Sequence, residues 1–475
     1  MKIGELIIEQ GLASEQDIAR ALEHQETYGG RLGDNLVELG IVTQQQLTEL
    51  FEYTPAPPRT VEDTGLSEGF LTDLLLKVLY QTDTNSTRSM ATLLRLPLTL
   101  VGDIMKGLVQ RQLVEVAGKN RRSTIPDSRY SLTVNGRAAA AEALVRSGYV
   151  GPAPVPLDVY QRKVIQQRIS SERVTADDLH RAFSHLVIPE GLLAQLGPGI
   201  NSAAALLMYG PPGNGKTAIA EAISNVFRQT IFVPHAVEVD GQVIKLFDPT
   251  VHTPVETESA APTSGQNLLR GDRPDERWVA CRRPLLVAGG ELTLEMLDMK
   301  FEPIAKYYEA PLQLKATNGI FVIDDFGRQR VEPEQILNRW IVPLERRVDY
   351  LTLHTGRKFP VEFDELVVFS TNYPPKQMMD AAMLRRIPYK IEIGAPSRSD
   401  FKQIFRRIGE HYGLEVKDEV IENLIRDYYE ARDIGFASYH PKFLLDQVVA
   451  LCKFRNEEWH LSEDLLWRAV DNLST

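Results

Sequence analysis

The sequence predicts a multidomain chain of α and α/β type. It reads as a small helical repeat domain, a three-helix module with a two-stranded wing, an α/β core on a parallel sheet of about five strands, and a helical C-terminal region. Three observations predict this. Residues 53–65 (YTPAPPRTVEDTG) and 148–158 (GYVGPAPVPLD) are rich in proline, which stiffens a segment and removes backbone donors, so both read as semi-rigid linkers. Residues 2–24 align with residues 31–53 at an offset of 29. An apolar run, 203–209, passes through Gly210-Pro-Pro-Gly-Asn-Gly-Lys216-Thr217 into 218–227, whose spacing is helical. At ~150 residues per domain, a chain of 475 residues holds about three domains, and we place the boundaries at 1–54, 66–148, 159–396 and 397–475, the last being a lid on the third.

Composition narrows the function classes. Hydrophobic residues are 43% and charged residues 25%, the balance of a globular protein with a sizeable core. Lys plus Arg is 53 against 64 for Asp plus Glu, a net charge of −11. Such a surface does not wrap nucleic acid as a whole, although one basic module still can. Two cysteines, Cys281 and Cys452, form no disulfide framework and predict a reducing cytoplasm. Glu5 and Glu9 interrupt the N-terminal apolar stretch, so it does not read as a signal peptide. No run approaches the ~18 apolar residues of a membrane span, and no membrane insertion is expected.

In the repeat, Gly4 matches Gly33, Gly11 matches Gly40 and Gln16 matches Gln45. Each unit has a short apolar helix ended by glycine, then Ser14 or Thr43 capping a second helix. One unit cannot bury its apolar face alone, whereas two can pack together. The pattern R-L-G-x-x-L-V-x-x-G-I-V resembles the N-terminal domain of type II secretion and type IV pilus assembly ATPases. That resemblance implies cyclic di-GMP as a ligand, with Arg31 as the contact. Lys2 stands where the motif has Arg, which removes one bidentate guanidinium, and the spacer 26–30 is short. A helical docking domain is the other reading.

The middle piece reads as a winged helix. Helices are expected over 71–80, 89–96 and from Thr99 to about residue 112, followed by strands 113–117 and 130–133 around the basic tip Lys119-Asn120-Arg121-Arg122. Between Arg88 and Arg137, nine Lys or Arg face three Asp or Glu, a local +6. That suits a phosphate-contacting wing, so DNA contact through residues 88–137 and a protein-docking role both stand.

The strongest chemical signal is the G-x-x-x-x-G-K-T loop between a strand and a helix. Its glycines let backbone amides converge on a phosphate at a positive helix N-terminus. Gly210, Pro211, Pro212, Gly213, Asn214, Gly215, Lys216 and Thr217 are the nucleotide-binding candidates; Lys216 neutralises phosphate charge and Thr217 offers its hydroxyl to Mg²⁺. The apolar strand 320–323 ends in Asp324-Asp325, at the strand end where ligands sit in parallel sheets. Asp324 is the metal candidate. Asp325 is the catalytic candidate for polarising the attacking water, one methylene shorter than the usual Glu. Strand 366–369 leads to Asn372, a candidate for orienting that water. Arg385 and Arg386 are candidates for completing a neighbouring subunit's site, as arginine fingers do.

In this order the motifs, followed by the helical stretch 397–474, resemble an AAA+ ATPase over roughly residues 175–475. M-L-R-R-I resembles the arginine pair of Clp-type unfoldases, while Asp-Asp resembles the initiator and helicase-loader branch. The resemblance implies ATP and Mg²⁺, a ring, a hexamer by preference, and a remodelling activity on a protein client. It also implies Ile188 beside the adenine and Lys442 nearest the second sensor position. The distance from Lys216 to Asp324 is about twice the usual, so an insertion is expected between the second and third strands, and 248–278 reads as a surface insertion. The G-A-F-T-G-A loop of sigma-54 activators is absent. Tyr307, Tyr308 and Phe247 read as core rather than pore aromatics, and His235, His252, His354 and His440 lack metal-ligand spacing. An ATP-gated DNA-binding factor and a cyclic di-GMP-regulated ATPase of a pilus, secretion or motility system are the alternative functions.

Overall fold

The computed structural model describes residues 4, 7–8, 11–28, 32–43, 46, 53–82, 84–120, 127–255 and 274–473. Its centre is a five-stranded parallel sheet in the order Tyr389–Glu392, Leu206–Tyr209, Leu366–Thr371, Ile320–Ile323, Leu285–Ala288. Successive side chains of a strand point to opposite faces, and here both faces are covered. Leu206, Met208, Val322 and Val368 enter one cluster with Ile219 and Ala220. Leu207, Phe321, Ile323 and Phe369 enter another with Trp340. This is why these strands read as unbroken apolar runs rather than alternating ones.

The strand after the first helix of this sheet is Leu285–Ala288, at the sheet edge. Most of the inserted chain therefore precedes the second strand, while the hairpin Lys300–Glu302 with Tyr307–Glu309 and the short helix Leu312–Lys315 fall between the second and third. This corrects the expected position. Ile231–Pro234 is as apolar as a core strand, yet it pairs with Trp278–Cys281 in a separate two-stranded sheet. The insertion builds a second sheet in the order Lys300–Glu302, Tyr307–Glu309, Gln242–Lys245, Ala236–Val239, Val155–Pro156.

The middle piece has helices Glu68–Gln81, Thr87–Leu94 and Leu98–Gln110, the antiparallel hairpin Val114–Asn120 with Asp127–Leu132, and helix Val134–Arg146. Pro97, not Thr99, is the N-cap of the third helix, with no side-chain cap bond. The last helix presses its first turn onto the hairpin base, where a Cβ on Gly136 would overlap the carbonyl oxygen of Leu113. Arg121 and Arg122 lie outside the described residues.

The described turns of the two N-terminal repeats have the same geometry. Gly11 and Gly40 both have φ 67°, and their amides donate to Ile8 and Val37, 29 positions apart, at 2.9 Å each. Ser14 and Thr43 exchange capping bonds with Asp17 and Gln46. One glycine-ended turn and one cap were thus written twice in the sequence.

Neither proline-rich segment hangs free. Arg277, with its side chain 4% exposed and paired to Asp275 at 2.8 Å, donates to the carbonyl of Thr64 at 2.9 Å and of Pro154 at 3.4 Å. Asp275 N–H donates to Pro55 O at 2.8 Å. One buried guanidinium therefore fastens both linkers to the inserted region. The end of the stretch read as a surface insertion is a buried clasp, because an ionised pair taken from water needs each remaining donor satisfied. The hairpin tip completes the attachment. Gly148 N–H donates to Ala305 O at 2.8 Å, and Tyr149 meets Tyr307 edge to face at 5.9 Å.

The C-terminal region packs helices Arg398–His411, Asp418–Leu424, His440–Arg455 and Glu463–Leu473 around its own cluster, with Phe401, Phe405, Tyr429 and Leu444 buried. No helix among the described residues is long and apolar enough to cross a membrane.

Candidate functional site

The site starts where strand Leu206–Tyr209 ends. Gly210, Gly213 and Gly215 have φ of 146°, 79° and 84°, values open to glycine at little cost. Two of these positions are also crowded. A Cβ on Gly210 would overlap Ile393 O, and one on Gly213 would overlap the Tyr439 ring. Gly215 then caps helix Lys216–Ile223, whose first amides face the loop. Lys216 is 6% exposed and its Nζ donates to the carbonyls of Gly210 and Pro211 at 2.9 Å each. Burial lowers its pKa, opposed by the charges of Asp324 and Asp325.

Across the loop, strand Ile320–Ile323 delivers Asp324. Thr217 Oγ1 donates to Asp324 Oδ2 at 2.7 Å, so the hydroxyl and carboxylate predicted for one metal ion are adjacent. Asp325 follows with φ 47°, and Asn372 Nδ2 donates to its Oδ1 at 3.2 Å. Because strand Leu366–Thr371 lies between the P-loop strand and strand Ile320–Ile323, its end brings Asn372 to both. Three sequence-distant motifs thus meet at the carboxyl edge of the sheet.

The donor set fits a magnesium–nucleotide. The loop offers the free amides of a helix start, Lys216 lies folded against it, and the Thr217–Asp324 oxygen pair sits beside it, followed by the carboxylate of Asp325. Groups of three or more His, Cys, Asp or Glu that would hold an ion by themselves are absent among the described residues. The remaining ligands of a hard cation here would be phosphate oxygens and water.

The arginine pair lies elsewhere. Tyr389 pairs with Leu206, so Arg385 and Arg386 precede the amino ends of strands whose carboxyl ends carry the loop. They line a polar cavity of about 520 Å³ with Ala204, Glu345 and Arg347. Arg386 is bound to Glu345 at 2.6 Å and is 15% exposed. Arg385 is exposed, and its guanidinium makes no ion pair or hydrogen bond among the described residues.

Ile188 packs against the cluster that holds Ile219 and Ile393, behind the loop. Lys442 Nζ bonds Asp446 Oδ2 at 2.7 Å, one turn further along the same helix. The C-terminal region instead meets the loop through residues not singled out from sequence. Ser438 N–H donates to Asn214 Oδ1 at 3.2 Å, and Tyr439 N–H donates to Gly213 O at 2.9 Å. Backbone donors carry no residue-type signal; only the segment G-F-A-S-Y-H-P-K marked the place. Tyr308 is buried against His354, and Phe247 stacks on His252, so both pack in the apolar cluster of the inserted region. Lys2 and Arg31 lie outside the described residues.

Fold and site define a phosphate-binding loop with an acidic partner strand on a parallel α/β sheet. The chain is 22% identical over 275 residues to spastin of Anopheles gambiae, covering 57% of this chain and 26% of that protein. It is likewise 22% identical over 296 residues to the vesicle-fusing ATPase of Dictyostelium discoideum, covering 56% of this chain and 38% of that one. The chain thus spans well under half the length of these relatives. This distant homology supports an AAA+ ATPase. Among solved structures, NtrX of Brucella abortus is similar with TM-score 0.37 and 14% identity, over 60% of this chain and 55% of that one. RuvB of Thermotoga maritima is similar with TM-score 0.33 and 13% identity, over 65% and 73%. A family described as a Domain of unknown function (DUF8689) matches residues 397–472.

Proposed function

We propose that the protein binds Mg-ATP and hydrolyses it to ADP and phosphate, in a ring whose seams hold the active sites. The observation that carries this reading is the meeting of Thr217 with Asp324, at 2.7 Å, and of Asn372 with Asp325, at 3.2 Å, beside the glycine-rich loop. When bound, the magnesium supplies charge neutralisation across the phosphates. The chain's own groups do the rest. Loop amides and Lys216 hold the phosphates, Thr217 and Asp324 hold the metal, and Asp325 with Asn372 orients a water and accepts its proton. Gly213 and Asn214 pass the state of the loop to residues 438–439 and so to the C-terminal lid. Arg385 acts on the neighbour's nucleotide, with Arg386 fixed behind it by Glu345.

The middle module serves as a protein-docking and coupling element. Two observations favour this over DNA contact. The exposed charges of its third helix, Asp103 and Lys106, neutralise one another at 2.7 Å, and the module is bonded to the inserted hairpin at Gly148 and Tyr149. Binding of duplex DNA that weakens steeply with salt would return the DNA reading.

Asp325→Asn tests the hydrolytic reading. The variant is expected to bind ATP with unchanged affinity and to release no phosphate above background. Phosphate release at the parental rate counts against the assigned role.

A further inference from the structure

We propose that Gln329 is a positioning residue for the acid pair, holding Asp325 in the backbone conformation from which its carboxylate meets Asn372. The proposal rests on the hydrolytic reading above. Asp325 sits at φ 47°, a left-handed conformation that costs a residue with a side chain, though an aspartate less than most, and that its surroundings must hold. One side of the turn is secured from strand Leu366–Thr371: Phe326 N–H donates to Ser370 O at 2.7 Å, and Thr371 Oγ1 donates to Phe326 O at 2.8 Å. The side chain that reaches the acids from the other side is Gln329. Its Nε2 donates to Asp324 O at 2.8 Å and lies 3.3 Å from both Asp325 O and Gly289 O. Its Oε1 accepts from Gly327 N–H at 2.9 Å. Gly327 itself has φ 100°, so one carboxamide ties together a turn containing two left-handed residues.

The chemistry is specific to an amide. It needs a donor for the Asp324 carbonyl and an acceptor for the Gly327 amide on one planar group. The anchor beyond it is also fixed, because Gly289 N–H donates to Glu291 Oε1 at 2.9 Å. Gln329 therefore registers the acid pair against the end of the edge strand, without itself touching nucleotide.

Two substitutions separate positioning from simple folding. Gln329→Met removes both bonds, and Gln329→Glu keeps the acceptor for Gly327 while removing the donor to Asp324. Both are expected to lower kcat for phosphate release by between about ten- and a hundred-fold, as small misplacements of catalytic groups do. Affinity for ATP and for a fluorescent ADP analogue should stay within about two-fold of the parent. Unchanged kcat in Gln329→Met overturns the proposal, as does a loss of affinity that keeps step with the loss of kcat. If the parent protein releases no phosphate, the hydrolytic reading fails by itself. The crystal structure of Gln329→Met then decides the positioning claim: Asp325 leaving the left-handed region and parting from Asn372 upholds it, and an unchanged turn overturns it.

Discussion

The placement of the arginine pair permits a quantitative test of where the active sites lie. Arg385 precedes Tyr389, which is level with Leu206, while the glycine-rich loop begins after Tyr209. At ~3.3 Å per residue the loop is about 13 Å further along the sheet, on its opposite edge. On the proposed reading, Arg385 therefore serves a neighbouring subunit's nucleotide rather than its own. Arg385→Ala is expected to lower turnover by about 10³-fold or more, the usual effect of losing an arginine finger, while ATP affinity stays near parental. Lys216→Ala abolishes turnover by disabling the loop. The two inactive variants complement each other when mixed, because a seam is active when an intact loop meets an intact arginine. In an equal mixture with random exchange, about a quarter of the seams satisfy this, so phosphate release should recover to roughly a quarter of the parental rate in a closed ring. Exchange is verified by fluorescence transfer between labelled subunits. No recovery despite verified exchange, or full turnover by Arg385→Ala alone, refutes the reasoning.

Two further outcomes concern the scaffold that presents the site. Arg277→Met should destabilise the protein by about 3–5 kcal/mol, since it strands Asp275 in the interior, and the double variant with Asp275→Leu should recover most of that in urea unfolding. A single-variant loss below about 1 kcal/mol would show that the clasp is not holding the linkers. The second outcome is pH dependence. Burial, reinforced by the neighbouring Asp364 charge and opposed by Arg347, raises the Glu365 pKa well above its ordinary value. As pH rises past the ordinary glutamate range, the unfolded chain releases this proton first, so stability is lost until the raised folded value is passed. Glu365→Gln removes that loss, and its Tm advantage over the parent should grow from about pH 5 to about pH 8. A constant or shrinking difference contradicts the assignment.

What could be read in the sequence was whatever contiguous residues encode. Glycines at fixed spacing need no partner to announce a loop with left-handed turns, so positions 210, 213 and 215 were legible, as were the matched turns at Gly11 and Gly40. The acidic end of an apolar strand and the Asn after the next one were legible for the same reason: strand, turn and polar tip lie within a few residues. The core's apolar runs declared a sheet buried on both faces, since no alternation survives when both sides are covered.

Long-range pairing left no such trace. Ile231–Pro234 and Leu285–Ala288 are equally apolar, and only the parallel register with Ile320–Ile323 made the latter the edge strand of the core. Arg277 was one arginine among many until folding set it between Thr64 and Pro154. Lys442 stands nearest the place where the resemblance puts an arginine, and Asp446 one helical turn away bonds it, while the backbone amides of Ser438 and Tyr439 reach the loop. The sequence by itself determined the local chemistry, because backbone freedom and side-chain type are properties of neighbouring residues. Which of those groups face one another, and that Arg385 stands at the opposite edge of the sheet from its own loop, was decided by strand order and packing, which depend on contacts between residues far apart in the chain.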